Sequence, residues 1–321
     1  MEGITTVASF SMYLFWTGLG TAVLASLVYV AYVASAALGF RRAVAQTSAG
    51  TVSVAVGDGA PSAGLGRLAT ALTGLTVVFL AGWAAARWAA AGHAPLSNLF
   101  EFTATFALGV AAAYLAFEQA IGNRRYGVLA LPITAVMLGV AATFPSEIVP
   151  LIPALQNGPL LTIHVSVMML SYAVLTVSFC GVVVYLLQGG EGKRRFAALP
   201  SANSAGDLAH RAVLVGFPLL GLGIALGAWW ANSAWGRYWG WDPKETSALV
   251  TWLSIVAYFH ARAGSGSVAG APGIRRLVPA RWRRGWRPDP MWWLVVMWGL
   301  VMFTYFGVNL WISGLHSYAG V

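Results

Sequence analysis

Cysteine is almost missing from this chain: Cys180 is the single thiol in 321 residues. One thiol cannot close an intrachain disulfide, form a C-x-x-C redox pair or build a cysteine-based zinc site. Its place inside an apolar run marks it as a small buried residue. Charge is scarce too. Only 9% of residues are Asp, Glu, Lys or Arg, against about 25% in a soluble domain. No polar stretch is long enough to bury a core of its own, so residues 1–321 read as one integral membrane domain without repeat or boundary. Nor is there an obvious acid–base pair or activated nucleophile, and no residue is assigned a role of that kind. The N-terminus lacks a basic n-region and a small-residue cleavage site before its first apolar run, which is expected to be a retained helix.

What the chain has in quantity is apolar surface: 58% of its residues are hydrophobic. Several apolar runs exceed the roughly 18 residues that argue for a spanning helix. Eight can be drawn, at 12–38, 68–90, 99–120, 127–144, 160–187, 212–230, 243–262 and 291–312. The expected fold is an all-α, polytopic transmembrane bundle of about eight helices. The basic residues sit in alternate connections. Arg41 and Arg42 follow the first run, Arg124 and Arg125 the third, and Lys193, Arg194 and Arg195 the fifth. The loop at 262–290 holds Arg275, Arg276, Arg281, Arg283, Arg284 and Arg287. Positive charge marks the cytoplasmic side. Both termini and the stretch at 229–246 are therefore expected outside the cell (plasma) membrane, with the basic loop at 262–290 inside. The formal charge of +9 then reports topology, and nucleic acid is not an expected partner.

The stretch at 229–246 reads Trp-Trp-Ala-Asn-Ser-Ala-Trp-Gly-Arg-Tyr-Trp-Gly-Trp-Asp-Pro-Lys-Glu-Thr. Interfacial aromatic belts are common at helix ends, but they do not supply five tryptophans in succession. A rigid apolar shelf suits a flat apolar ligand with polar edges. Asp242-Pro243-Lys244-Glu245 reads as a helix start, with Asp at the N-cap, Pro at N1 and Glu at N3 reaching back. Arg237 and Lys244 are the cations of this outer stretch. Two readings stand side by side for them: solvated charges, or partners for carboxylates on a ligand's rim.

Five histidines complete the inventory. His164 starts the fifth run, His316 follows the eighth, and His93 lies in the second outer loop. His260 sits near the inner end of the seventh run, and His210 at the inner edge of the sixth. A lone interfacial histidine is ordinarily a hydrogen-bonding surface residue. An ionisable group within the membrane defaults to function, and neutral imidazole is an axial ligand for haem iron. His164 and His316 share a side with the tryptophans. His260 is about 25 Å away along its helix, too far for one porphyrin to serve both.

At these residues the chain resembles a known family. Trp235 to Thr246 is similar to the tryptophan-rich WWD signature of haem-handling proteins. Its Pro-Lys-Glu-Thr ending resembles the CcsA branch (CcsB or ResC in some bacteria) of system II cytochrome c biogenesis. Gly92-His93-Ala94-Pro95-Leu96-Ser97-Asn98-Leu99-Phe100-Glu101, the segment from His164 to Ala173, Tyr258-Phe259-His260 and Gly314-Leu315-His316-Ser317-Tyr318 are similar to further family segments. The resemblance covers the chain from about Gly92 onward. It implies export of haem b and its presentation to apocytochrome c for thioether attachment at C-x-x-C-H, as part of a haem lyase (holocytochrome c synthase) complex. It implies His164 and His316 as axial ligands outside, and His260 as one ligand within the membrane, opposite a ligand from a CcsB/ResB-type membrane subunit. Trp235, Trp239, Trp241 and Asp242, with Arg237 and Tyr238, would form the platform. Lys244 and His93 are further candidates, and a thiol-reducing membrane protein is a further implied partner. Three rivals remain open: a membrane b-type cytochrome passing electrons between haems, a haem-free small-molecule transporter, and a structural subunit.

Overall fold

The computed structural model describes residues 2–47, 60–151, 156, 158–264, 289–312 and 314–315. Among them the regular structure is helical, without strands. The helices are α1 Glu2–Thr47, α2 Ala63–Ala91, α3 Leu99–Ile121, α4 Gly127–Ala141, α5 Gly158–Gln188, α6 Ala202–Trp235, α7 Pro243–Gly264 and α8 Met291–Trp311. Seven are long and apolar enough to cross a membrane. The eighth, α7, has 22 residues, about 33 Å of helix, but carries Lys244, Glu245, His260 and Arg262 and is less apolar. The polytopic helical bundle read from the sequence is what the chain forms: a multi-pass membrane protein.

Two helices outrun their apolar stretches. The 46 residues of α1 extend about 69 Å, and α6 starts ten residues before its apolar run and ends five after it. Apolar runs report the hydrocarbon zone, whereas helical hydrogen bonding continues into the interface wherever a cap closes the end. Ser201 caps α6, its hydroxyl accepting from the Ser204 amide at 3.3 Å. Gly236 ends it with φ of 73°, a left-handed turn open to glycine without strain. Trp229, Trp230 and Trp235 are thus helical, and the loop proper is the six residues between α6 and the Asp242–Pro243 cap. His210 lies well inside α6. The basic loop after α7 falls mostly at 265–288, outside the described residues.

α1 and α2 form a hairpin against α3 and α4; α5 packs against α3, α6 and α8; α7 rests on α8 and more lightly on α6. In lipid, close approach of helices comes from small residues. A Cβ on Gly181 of α5 would lie 2.8 Å from the Ala205 carbonyl oxygen of α6, so the two backbones touch there. Ser171 and Ser178 hydroxyls bridge the same seam, donating to the Gly216 and Ala209 carbonyls at 3.0 and 2.9 Å.

Two buried carboxylates anchor the ends of α3. Glu118 accepts from the hydroxyls of Tyr29 (2.5 Å), Tyr114 (2.6 Å) and Thr70 (2.5 Å), tying α1 and α2 to α3. Glu101, fully buried, pairs with Arg87 at 2.6 Å. Arg87 also donates to the Ser146 and Glu147 carbonyls at 2.6 and 3.2 Å. Glu101 accepts from the Ser97 amide and hydroxyl at 2.9 and 2.7 Å. One ion pair therefore ties the loop at 92–98 to the segment at 146–147.

Candidate functional site

The start of α7 is built as the sequence predicts. Asp242 caps it: its Oδ1 accepts from the Lys244 amide at 2.9 Å, and its carbonyl from the Thr246 amide at 2.9 Å. Glu245 reaches back, its Oε2 accepting from the Asp242 and Gly240 amides at 3.1 and 2.8 Å. Those two amides flank Trp241, whose φ is 56°, a costly conformation for a bulky residue. A single carboxylate thus clamps a strained tryptophan from both sides, and the indole projects outward, 71% exposed.

The other Asp242 oxygen, Oδ2, accepts from the Leu315 amide at 2.7 Å. A Cβ on Gly314 would lie 2.6 Å from it, so only glycine lets the chain come this close. His316, the next residue after Leu315, lies outside the described residues. What is described is that the chain leading into it is fastened to the cap of α7. Asp242→Ala should cost about 1–2 kcal/mol as a lost cap and release the C-terminal segment. Thermal unfolding of the purified protein should read the first effect, and faster protease cleavage beyond residue 312 the second.

Beside this cap opens a cleft of about 960 Å³ including its mouth, between α5, α6, α7, α8 and one residue of α3, Phe102. The α5 wall is Leu161, His164, Val165, Met168, Met169 and Tyr172. These recur every three or four positions, one helix face about 16 Å long. His164 faces Trp230 in a stacked arrangement, centroids 6.2 Å apart and 11° between planes. Its Nδ1 lies 2.9 Å from the Gly223 carbonyl oxygen of α6. A carbonyl accepts only, so Nδ1 carries the proton and Nε2 the lone pair. The close fit depends on Gly227, whose Cβ would lie 2.6 Å from His164 Cε1. Trp239, Lys244 and Glu245 also line the cleft.

The deep end is polar but uncharged. Tyr172 is buried with its hydroxyl beside Thr304, and the Asn309 side-chain oxygen is unpaired among the described residues. Thr304 and Tyr305 lie beside them, on the π-helical turn Phe303–Gly307 of α8. Such turns re-aim side chains and are frequent at functional sites.

The structure brings His164, Trp239 and Lys244 together. Trp235, the last residue of α6, packs edge-on against Trp230 at 4.7 Å, behind the cleft lining. Arg237 and Tyr238 are exposed on the loop, and the Arg237 guanidinium lies over Gly240. His93 is half-buried, its Nδ1 2.9 Å from the Ala94 carbonyl oxygen, away from the cleft. His260 is on an exposed face of α7, Nδ1 2.8 Å from the Val256 carbonyl oxygen. It is about 24 Å along the helix from Lys244, a separate place in the molecule. Sequence reasoning passed over Trp230 as a site residue, and over Tyr172, Thr304 and Asn309. The α5 residues carried only the three-and-four spacing down from His164, which His164 itself singles out among equally apolar faces; the α8 residues carried none, since a π turn has no sequence signature.

Two comparisons bear on identity. The family model for cytochrome c assembly proteins matches residues 96–316. Proteins called cytochrome c biogenesis protein CcsA are similar along most of the chain. The one from Synechococcus elongatus is 34% identical over 305 residues, covering 79% of this chain and 88% of the relative. That from Gloeothece citriformis is 35% identical over 307 residues, covering 79% and 87%, and that from Porphyra purpurea 33% over 299, covering 79% and 88%. The match begins at the loop after α2 and takes in every wall of the cleft, so this chain belongs to the cytochrome c assembly protein family.

Proposed function

We propose that this protein serves cytochrome c biogenesis by holding haem b in the cleft beside the α7 cap and presenting it to apocytochrome c, with the loop between α6 and α7 on the extracytoplasmic face of the plasma membrane. One observation carries the reading. A single cleft joins an imidazole whose Nε2 bears the lone pair, two indole faces and an ammonium group, and the backbone entering His316 is fastened at its rim. Its apolar walls suit a porphyrin face, and neutral imidazole suits the iron. His164 and His316 are the residues that would hold the iron. The basic connections support an outer position for the loop by the positive-inside rule.

Attachment adds each substrate thiol S–H across a haem vinyl group. The nucleophiles belong to the C-x-x-C-H segment of the substrate, because Cys180 is buried within α5. The contribution of this chain is positioning: orienting the porphyrin and excluding water. His260 serves a second haem position deeper in the membrane. With Nδ1–H donated to Val256, its Nε2 lone pair is presented at an exposed position of α7. A polar group there is costly against lipid, which suits a ligand completed by a CcsB/ResB-type subunit.

The test is an absorption spectrum of the full-length chain co-purified with that subunit, together with cytochrome c assembly in cells. His164→Ala and His316→Ala should each lose the outer haem and assembly, with partial return on added imidazole. His260→Ala should lose the other haem. A colourless wild-type protein, or normal assembly in either outer variant, overturns the reading.

A further inference from the structure

We propose that Lys244 pairs with one of the two porphyrin carboxylates and thereby fixes the rotation of the ring about the His164–iron axis; this rests on the haem reading of the cleft. An axial bond leaves a disc free to turn. Attachment at two vinyl groups with a constant stereochemical outcome needs that turning stopped, and a charged anchor at one edge stops it.

Lys244 is set apart from the other groups around the cleft. It lines the wall and is half-buried. Its two acidic neighbours are occupied by the fold. Asp242 accepts from the Lys244 and Leu315 amides, and Glu245 from the Gly240 and Asp242 amides. Among the described residues Lys244 forms no ion pair. Asp242 acts on the Lys244 ammonium through space but outside ion-pair range, so the buried ammonium lacks a contacting counterion, which is costly, and a ligand carrying a carboxylate supplies one. Arg237, the other cation of the outer stretch, is exposed and folded over Gly240 rather than lining the cleft. The deep end cannot substitute, because Tyr172, Thr304 and Asn309 are neutral and a carboxylate there would be buried without a positive charge. The open choice between solvated charge and rim partner is thus decided differently for the two residues: Arg237 is the solvated one and Lys244 the partner.

The experiment is a titration of the full-length chain in detergent with haem and, separately, haem dimethyl ester, which keeps the iron and ring but has no carboxylate charge. The readout is Soret absorbance. Wild type should bind haem at least tenfold more tightly than the ester. Lys244→Met should bind the two alike, near the wild-type affinity for the ester, and Lys244→Arg should recover most of the preference. Binding of the ester by Lys244→Met shows that the variant is folded. If it is not folded, Lys244→Gln and the two-ligand comparison in wild type carry the test. Equal affinity for the two ligands in wild type, or a preference retained without the lysine, overturns the proposal while leaving the haem reading intact. Binding of neither ligand by wild type overturns the haem reading itself.

Discussion

Gly227→Ala should abolish most haem binding and cytochrome c assembly while leaving the bundle folded. A single added methyl group would sit 2.6 Å from His164 Cε1, well inside contact distance. The imidazole cannot simply swing aside, since its Nδ1–H is held by the Gly223 carbonyl and its face lies against Trp230. The ring has to move by about an ångström, a displacement that costs on the order of a hundredfold in a positioned site. Overpacking itself costs only about 1–3 kcal/mol. Gly139→Ala is the matched control: its Cβ meets nothing within 4 Å, and alanine in a helix interior is favoured by up to about 1 kcal/mol. Soret absorbance and thermal unfolding of the two purified variants separate the effects. If Gly227→Ala keeps wild-type haem affinity, His164 does not hold the iron from this position.

The largest loss of stability is expected at the buried Arg87–Glu101 pair. Glu101→Ala leaves the Arg87 guanidinium, 2% exposed, without its carboxylate, and breaking such a pair from one side costs about 3–5 kcal/mol. The loop at 92–98 loses the acceptor for the Ser97 amide and hydroxyl at the same time. Against a total stability of about 5–15 kcal/mol, the single variant should be poorly folded at growth temperature. The double variant Arg87→Met, Glu101→Leu removes both charges and should regain most of the loss. Thermal unfolding monitored by size-exclusion chromatography in detergent checks both. A single variant as stable as the double would mean that the pair is not what holds these loops.

The fold and part of the site were legible in particular residues. Runs of apolar residues marked the helices to within a turn or two, because each span must satisfy its own backbone in lipid and be long enough to cross. They misjudged the ends of α1 and α6, where helical hydrogen bonding outlasts the apolar stretch. Asp242, Pro243 and Glu245 announced the start of α7, because a cap is a local device with fixed spacing. What they did not announce is the second use of Asp242, whose other oxygen holds Leu315, 73 residues away. The tryptophans in and just before the loop are likewise not equivalent. Trp239 lines the cleft, Trp241 points outward and Trp235 lies behind, a division that six residues of loop geometry make and composition cannot.

By itself the sequence determined the family, the helical bundle, the cap of α7 and the candidate histidines, all features written in runs, local spacings and short motifs. Only the tertiary structure decided that His164 meets Trp230 across Gly227, that Lys244 lines the cleft while Arg237 does not, and that His260 stands apart on an exposed face. The physical reason is that a helix in lipid is apolar on every side. Its periodicity then carries little record of which face is buried, and that choice falls to the close approach of backbones at glycine and to hydrogen bonds between residues far apart in the chain.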